Sequence, residues 1–237
     1  MIYKNDITVD IHDVDYNGVA RFSSLMRYIQ SAAQNQLTEN GMSYDELYNK
    51  YHRAFLLSRI RIEFTESIRA YDRITACTYP CESRAYSFLR CYSVEKEGRT
   101  VGRAVSIWAL IDTDTHSLVK VNSFDLGLEL HEPHSLTLSR FILPSELEDI
   151  GSYTVSYADI DQNRHMNNTK YPDMYSNFLP LDGMRIKSIS INYIKEAPLG
   201  EVLRVLGARG ADGRYYIRTL LENGDVNTEA EIELTEI

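Results

Sequence analysis

Cysteine is scarce in this chain. The 237 residues hold three, Cys77, Cys81 and Cys91, an odd set with no CxxC pair, which reads as reduced thiols in a cytoplasmic protein rather than a disulfide framework. Long apolar runs are missing too. Nothing approaches the ~18–20 uninterrupted apolar residues of a membrane span, and behind Lys4 there is no apolar stretch that reads as a signal peptide. No membrane partner is expected. Positive charge is in deficit: the formal charge of −9 argues against generic nucleic-acid binding, and any acidic partner needs a local basic patch.

Several chemical signatures are also absent. There is no G-x-S-x-G elbow and no Walker or dinucleotide glycine pattern. His131-Glu132-Pro133-His134 lacks the HExxH spacing and contains a proline that breaks the required helix. His12, His52 and His116 stand alone. Asp13-x-Asp15-x-Asn17-Gly18 opens like a calcium loop, but the closing position is Ser24, and Lys170 in the related stretch after Asp159, where a bidentate Glu is required. No metal or cofactor is expected. Each cysteine lies in a strand-like run with no base nearby in sequence, so the thiols read as structural.

What the chain has in excess is tyrosine, seventeen against seven phenylalanines, a residue suited to pockets with one wet and one apolar side. Ile7, Val9 and Ile11 alternate as a strand. Phe22, Leu25, Met26, Ile29, Ala32, Ala33 and Leu37 recur at helical spacing, predicting an amphipathic helix over 21–38 that Asn40-Gly41 ends. Ser43-Tyr44-Asp45-Glu46 is a capping box for a short second helix. Alternating runs predict strands at 55–68, 73–82, 85–96 and 100–112, with Glu97-Gly98 a hairpin turn, and 113–140 reads as a connection. The plan then repeats: a strand into Asp159, a helix over 168–178, and strands at 185–195, 201–210, 214–222 and 226–236, with hairpin signals at Asp212-Gly213 and Asn223-Gly224.

The repeat is an internal duplication. Asp13-x-Asp15-x-Asn17 matches Asp159-x-Asp161-x-Asn163 at an offset of 146 residues, and Ile60-Arg61-Ile62-Glu63-Phe64 matches Ile189-Ser190-Ile191-Asn192-Tyr193 at an offset of 129. The difference is assigned to the extra helix at 43–51. A strand, a helix and then antiparallel strands is the order of a hotdog fold. The expected class is therefore α+β: two tandem hotdog domains, residues 1–130 and 131–237, each an antiparallel sheet wrapped round a central helix.

Polar groups concentrate in the second copy, from Asp159 to Tyr171, a costly arrangement if buried. If 157–165 is extended, Asp159, Asp161, Asn163 and His165 share one side, and the following helix aims its free N–H groups at the same place. An amide, an imidazole and a helix N-terminus suit a carbonyl turning into an oxyanion. In the first copy Val19 stands where the second has His165, and Gly18 where it has Arg164. One half is then expected to be active and the other structural, with Asp13, Asp15 and Asn17 serving the fold.

Asp-x-Asp-x-Asn-x-His-x-Asn-Asn-x-Lys-Tyr, as Asp159 to Tyr171, closely resembles the catalytic motif of plant and bacterial fatty acyl-acyl carrier protein thioesterases, and Gly102-Arg103-Ala104-Val105-Ser106-Ile107-Trp108 resembles a strand of that family. The resemblance spans nearly the whole chain. It implies Asp161, Asn163 and His165 as active residues, with Glu196, in Tyr193-Ile194-Lys195-Glu196-Ala197, as a further acidic one. Pro172, inside the expected helix, departs from the pattern. The implied reaction is hydrolysis of fatty acyl-acyl carrier protein to free fatty acid, ending fatty acid synthesis. Glu196, or Asp161 through its contacts, activates water; Asn163 and a backbone N–H hold the oxyanion; His165 orients water or protonates the thiolate; and Asp161 fixes Asn163 and His165. An acyl-CoA thioesterase and a non-catalytic acyl-binding protein stay open as alternatives. Arg21, Arg27, Arg164, Lys170, Arg185, Lys187 and Lys195 are candidates for a carrier-binding patch, and Phe22, Met26 and Ile29 for the tunnel lining. The duplication already supplies a two-hotdog unit, so monomer or homodimer is expected.

Overall fold

A computed structural model describes residues 1–237. Eleven strands and three α-helices follow one another as β1 (Tyr3–Thr8), α1 (Phe22–Glu39), α2 (Tyr44–Asn49), β2 (Arg53–Phe64), β3 (Arg73–Pro80), β4 (Phe88–Lys96), β5 (Arg99–Asp112), β6 (Leu118–Val119), β7 (Glu148–Thr154), α3 (Tyr171–Ser176), β8 (Met184–Tyr193), β9 (Val202–Arg209), β10 (Tyr215–Leu220) and β11 (Val226–Glu236). Glu97 and Gly98 both take positive φ, the two-residue hairpin turn expected between β4 and β5. The turns at Asp212-Gly213 and Asn223-Gly224 differ from that: Gly210 pairs with Arg214, and Leu221 with Asp225, so each is a three-residue loop with glycine alone in the left-handed position.

The strands form one antiparallel sheet in the order β1-β3-β4-β5-β2-β8-β11-β10-β9-β7, with β6 on β5. Read outward from β2 and from β8, the order is the same, so each half is a hotdog and the chain is a double hotdog. Across the central pair Ile60 faces Ile191, Arg61 faces Ser190 and Ile62 faces Ile189. Residues equivalent under the duplication thus meet round a pseudo-two-fold axis beside Arg61 and Ser190.

α1 carries Leu25, Met26, Ile29, Ala32 and Ala33 into the concave face of the first-half sheet. It stops where expected. Gly41, at φ 72°, lets its own N–H reach Thr38 O and that of Met42 reach Leu37 O, a Schellman closure. Ser43 and Glu46 cap α2 reciprocally. The second-half helix is shorter than the expected 168–178. Pro172 has no N–H to offer, so the first turn is a 3-10 turn, Asn168–Lys170, capped by the Asn167 side chain, and α3 proper has six residues. The 17-residue mismatch between the two copies is therefore shared between α2 and the greater length of α1, 18 residues, rather than due to α2 alone.

Met26 and Ile29 pack with Ile60, Ile62, Ile189, Ile191, Met174 and Tyr175 in one core that crosses both halves. Tight packing fixes one glycine on β5: a Cβ on Gly102 would lie 2.4 Å from the Phe64 ring. The segment between β6 and β7 crosses the outer face of the first-half sheet. Leu136 and Leu138 cover Cys81, Cys91 and Val105, His134 Nε2 meets the Tyr92 and Ala104 carbonyls, and Arg59 donates to Ser139 O.

Candidate active site

The two copies of the Asp-x-Asp-x-Asn stretch share one backbone design. Asp15 N donates to Val19 O at 2.8 Å and Asp161 N to His165 O at 3.2 Å. Gly18 N reaches Asp15 O at 3.0 Å, and Arg164 N reaches Asp161 O at 2.9 Å. Ala20 N donates to Ile68 O, as Met166 N does to Ala197 O. The expected extended run over 157–165 is thus a tight loop. The reason is local: the Asp161 carboxylate accepts the Asn163 N–H at 2.8 Å, an Asx turn, and Arg164 sits left-handed at φ 64°. Gly18, at φ 71°, fills that position in the first copy. A side chain with a Cβ is strained there by about 1–2 kcal/mol. Replacing Arg164 with glycine is therefore expected to raise stability by up to ~1 kcal/mol in chemical denaturation, while removing one exposed cation beside the site.

In the first copy Asp13, Asp15 and Asn17 are all used by the fold. Asp15 binds the N–H groups of Asn17 and Val19, Asn17 Nδ2 donates to Leu181 O, and Asp13 holds Ser24, Arg27 and Tyr28. The second copy leaves groups free. Asp161 Oδ2 takes a bond from Asn167 Nδ2 at 3.0 Å. Asn163 Oδ1 accepts the Tyr44 hydroxyl at 2.7 Å, so its amide donors stay available. His165 Nδ1 lies 3.2 Å from Glu196 Oε2. With Nδ1–H given to the carboxylate, Nε2 is left with its lone pair outward.

This differs from expectation in two respects. The Asp161 carboxylate binds Asn163 and Asn167 but makes no hydrogen bond to the His165 ring, whose partner is Glu196. The helix N-terminus is not free either, because Asn167 Oδ1 accepts the Thr169 N–H at 2.9 Å.

Glu196 arrives from the loop after β8. That loop is pinned from below by a buried polar network. The Asn227 carbonyl accepts the N–H groups of Ile194 and Lys195, and its side-chain amide donates to Lys195 O and Tyr171 OH. Thr219 binds Asn227 and Thr228, and Thr228 binds Tyr175 OH. Burial raises the Tyr171 phenol to about 12, so it stays a neutral hydroxyl. These residues escape motif reading; the only sequence signal is polar residues at inward positions of β10 and β11. Removing the amide in Asn227→Ala strands buried partners, so a loss of about 1–3 kcal/mol in unfolding free energy is expected, together with reduced turnover as Glu196 loses its support.

A cavity of about 840 Å³ lies between α1 and the first-half sheet. Its walls include Phe55, Phe88, Trp108 and Leu126, and Asp159, Asp161 and Asn167 bring the second-copy loop to its edge. Asp159 is held ionised: burial opposes it, but bonds from the Ser156 hydroxyl and N–H bring its pKa below the usual value. Asn163, His165 and Glu196 are not in the cavity wall; they stand outside it on the same loop and its neighbour. Met26 and Ile29, expected in the lining, are sealed core residues, and Phe22 packs edge-on against Phe64. The helix face that does line the cavity carries Gln30, Ala33, Gln34 and Leu37.

The basic candidates separate as well. Arg185 is buried and donates to Phe64 O, Lys187 pairs with Glu233, Lys195 with Asp225, and Arg27 with Asp13. Arg21, Arg164 and Lys170 make no ion pair. The cysteines are unpaired and buried, and Cys91 belongs to the outer-face cluster, away from the cavity. The neighbouring Cys81 thiol and His134 draw the Cys91 pKa down, but its sulfur is sealed and does not face the cavity.

Comparison with known proteins agrees with this architecture. The acyl-ACP thioesterase N-terminal domain matches residues 1–124 and the acyl-ACP thioesterase C-terminal domain matches residues 144–236. An oleoyl-acyl carrier protein thioesterase from Arabidopsis thaliana is 24% identical over 85% of this chain, and a palmitoyl-acyl carrier protein thioesterase from the same plant is 22% identical over 97%. The chain spans 61% and 60% of the length of these two relatives. Among solved structures, an acyl-ACP thioesterase from Bacteroides thetaiotaomicron superposes with a TM-score of 0.90 at 20% identity, covering 99% of this chain and 98% of that one. A 12:0-ACP thioesterase from Umbellularia californica gives 0.83 at 17% identity, covering 100% and 98%. With both domains matched in order and the duplicated fold shared end to end, the chain belongs to the acyl-ACP thioesterase family.

Proposed function

We propose that the protein hydrolyses the thioester of a fatty acyl-acyl carrier protein, releasing free fatty acid and the carrier thiol. One observation carries this reading: the loop that holds His165 against Glu196 also walls, through Asp161 and Asn167, a cavity with aromatic and aliphatic sides. The acyl chain lies in the cavity under α1 and the thioester sits at its mouth. Residues 1–130 hold the chain and 131–237 the chemistry.

His165 Nε2 takes a proton from water, whose oxygen adds to the carbonyl carbon. Glu196 stabilises the imidazolium so formed. The Asn163 amide, oriented by Tyr44, donates to the oxyanion. As the carbon–sulfur bond breaks, the imidazolium returns its proton to the departing thiolate, leaving a carboxylic acid. Glu196 supports the base instead of being it, because it lies behind Nδ1.

Arg21, Arg164 and Lys170, which make no ion pair within the chain, suit an acidic carrier protein, and the buried, unpaired cysteines suit action in the cytoplasm. Monomer or homodimer both accommodate this site. Assaying one acyl group on acyl carrier protein and on CoA tests the carrier. The expected result is a higher kcat/KM with the protein carrier, falling with salt and weakened in Arg164→Gly. A preference for CoA that ignores salt and Arg164 assigns the site to acyl-CoA hydrolysis instead.

A further inference from the structure

Arg90 lies on β4 between Phe88 and Tyr92, and all three line the cavity. It is only 8% exposed. Its Nη1 donates to Gln36 Oε1 at 2.7 Å and to Thr78 Oγ1 at 3.0 Å, both neutral acceptors. Nε and Nη2 have no acceptor in the protein, yet neither is among the sealed polar atoms, so this edge of the guanidinium opens on the cavity. No carboxylate pairs with it. A guanidinium cannot shed its proton to escape burial. Burial lowers its pKa, and no carboxylate is there to oppose the shift.

A saturated alkyl chain gives such a group nothing. It would leave three N–H groups and a charge against hydrocarbon, an unfavourable state. The open Nε–Nη2 edge presents two parallel donors, which fit one or two acceptor oxygens side by side.

We propose that Arg90 selects acyl chains that carry an acceptor oxygen beyond the thioester carbonyl, as a hydroxyl, an oxo group or a carboxylate. This rests on the reading of the cavity as the acyl site. Sites built to hydrogen-bond a polar substrate group reject the analogue lacking it, because their own donors are then left unpaired. The neutral Gln36 and Thr78 hold the guanidinium in place without satisfying it.

The test compares acyl-carrier-protein substrates of one chain length: the plain saturated chain, and chains with a hydroxyl, an oxo group or a carboxylate at the 3-position, mid-chain or the terminus. Wild type, Arg90→Met and Arg90→Lys are assayed for kcat/KM, and binding of the non-hydrolysable amide analogues is measured by calorimetry. At least one oxygenated chain is expected to exceed the plain chain by about tenfold or more in wild type. Arg90→Met is expected to reverse that ratio while remaining folded, since an apolar replacement of a buried charge is often tolerated. Arg90→Lys, which keeps the charge and loses the fork, falls between. A structural role alone would lower activity on every chain equally. Hydrolysis of the plain chain at least as fast as all others, with the ratio unchanged in Arg90→Met, overturns the proposal and leaves thioester hydrolysis standing. If no thioester is cleaved but the amides still bind with an Arg90-dependent preference, the selection stands and the hydrolytic reading falls. No preference in either measurement removes both.

Discussion

Replacing His165 with alanine is expected to lower kcat for hydrolysis of acyl-acyl carrier protein by about 10²–10⁴, with the fold retained. The imidazole is 37% exposed on the side chain, and its one polar contact is Glu196. The loop is closed by backbone bonds, Asp161 N to His165 O and Met166 N to Ala197 O, which do not need the ring. Glu196→Gln keeps an acceptor for Nδ1–H and loses only the charge that favours the imidazolium. Its expected loss is smaller, about 10–10²-fold, at or below the lower end of general acid–base contributions. The double variant is expected to be no slower than His165→Ala alone, because the two residues act as one unit. If Glu196 were an independent base, Glu196→Gln would cost as much as His165→Ala and the two losses would multiply. Both single variants within threefold of wild type would remove the pair from the mechanism. Circular dichroism and thermal unfolding of each variant separate a lost group from a lost fold.

Asn163→Ala is expected to lower kcat by about 10²–10³ with little change in KM, the signature of a donor whose bond matters in the transition state. The Tyr44 hydroxyl at 2.7 Å from Oδ1 fixes which way the amide faces and leaves Nδ2 as the donor. Asn163→Asp, nearly the same shape, replaces that donor with negative charge facing an oxyanion, and is expected to be slower still than Asn163→Ala. Tyr44→Phe loses only the orientation, so its effect is smaller and vanishes in the Asn163→Ala background. Full activity in Asn163→Ala would reduce the residue to a turn former, the role Asn17 has in the first copy, where its amide is consumed by Leu181 O.

The duplication could be read from the chain because its markers are local. Asp15 and Asp161 each fold back on the N–H two residues on, so the same residue types recur wherever that turn is built. The shape of the second turn was harder to see. Arg164 occupies a left-handed position without the glycine that usually announces one; Gly18 in the first copy was the available signal. Pairing of His165 with Glu196, and of Tyr44 with Asn163, depends on tertiary approach between segments, and no periodicity reports it. The apolar stripe of α1 predicts a tunnel lining, but that stripe packs as core at Met26 and Ile29, and the flanking face lines the space. Arg90 did leave a trace. On β4 it shares the inward alternation of Phe88 and Tyr92, where a charge is out of keeping with the strand.

The most direct measurement is multiple-turnover release of thiol and of fatty acid from a saturating acyl-acyl carrier protein by the wild-type chain. Hydrolysis at the His165–Glu196 pair predicts equal amounts of both products, continuing well past one equivalent of enzyme. Saturable uptake of the acyl chain with no thiol released would contradict it and leave an acyl-binding protein on the same fold.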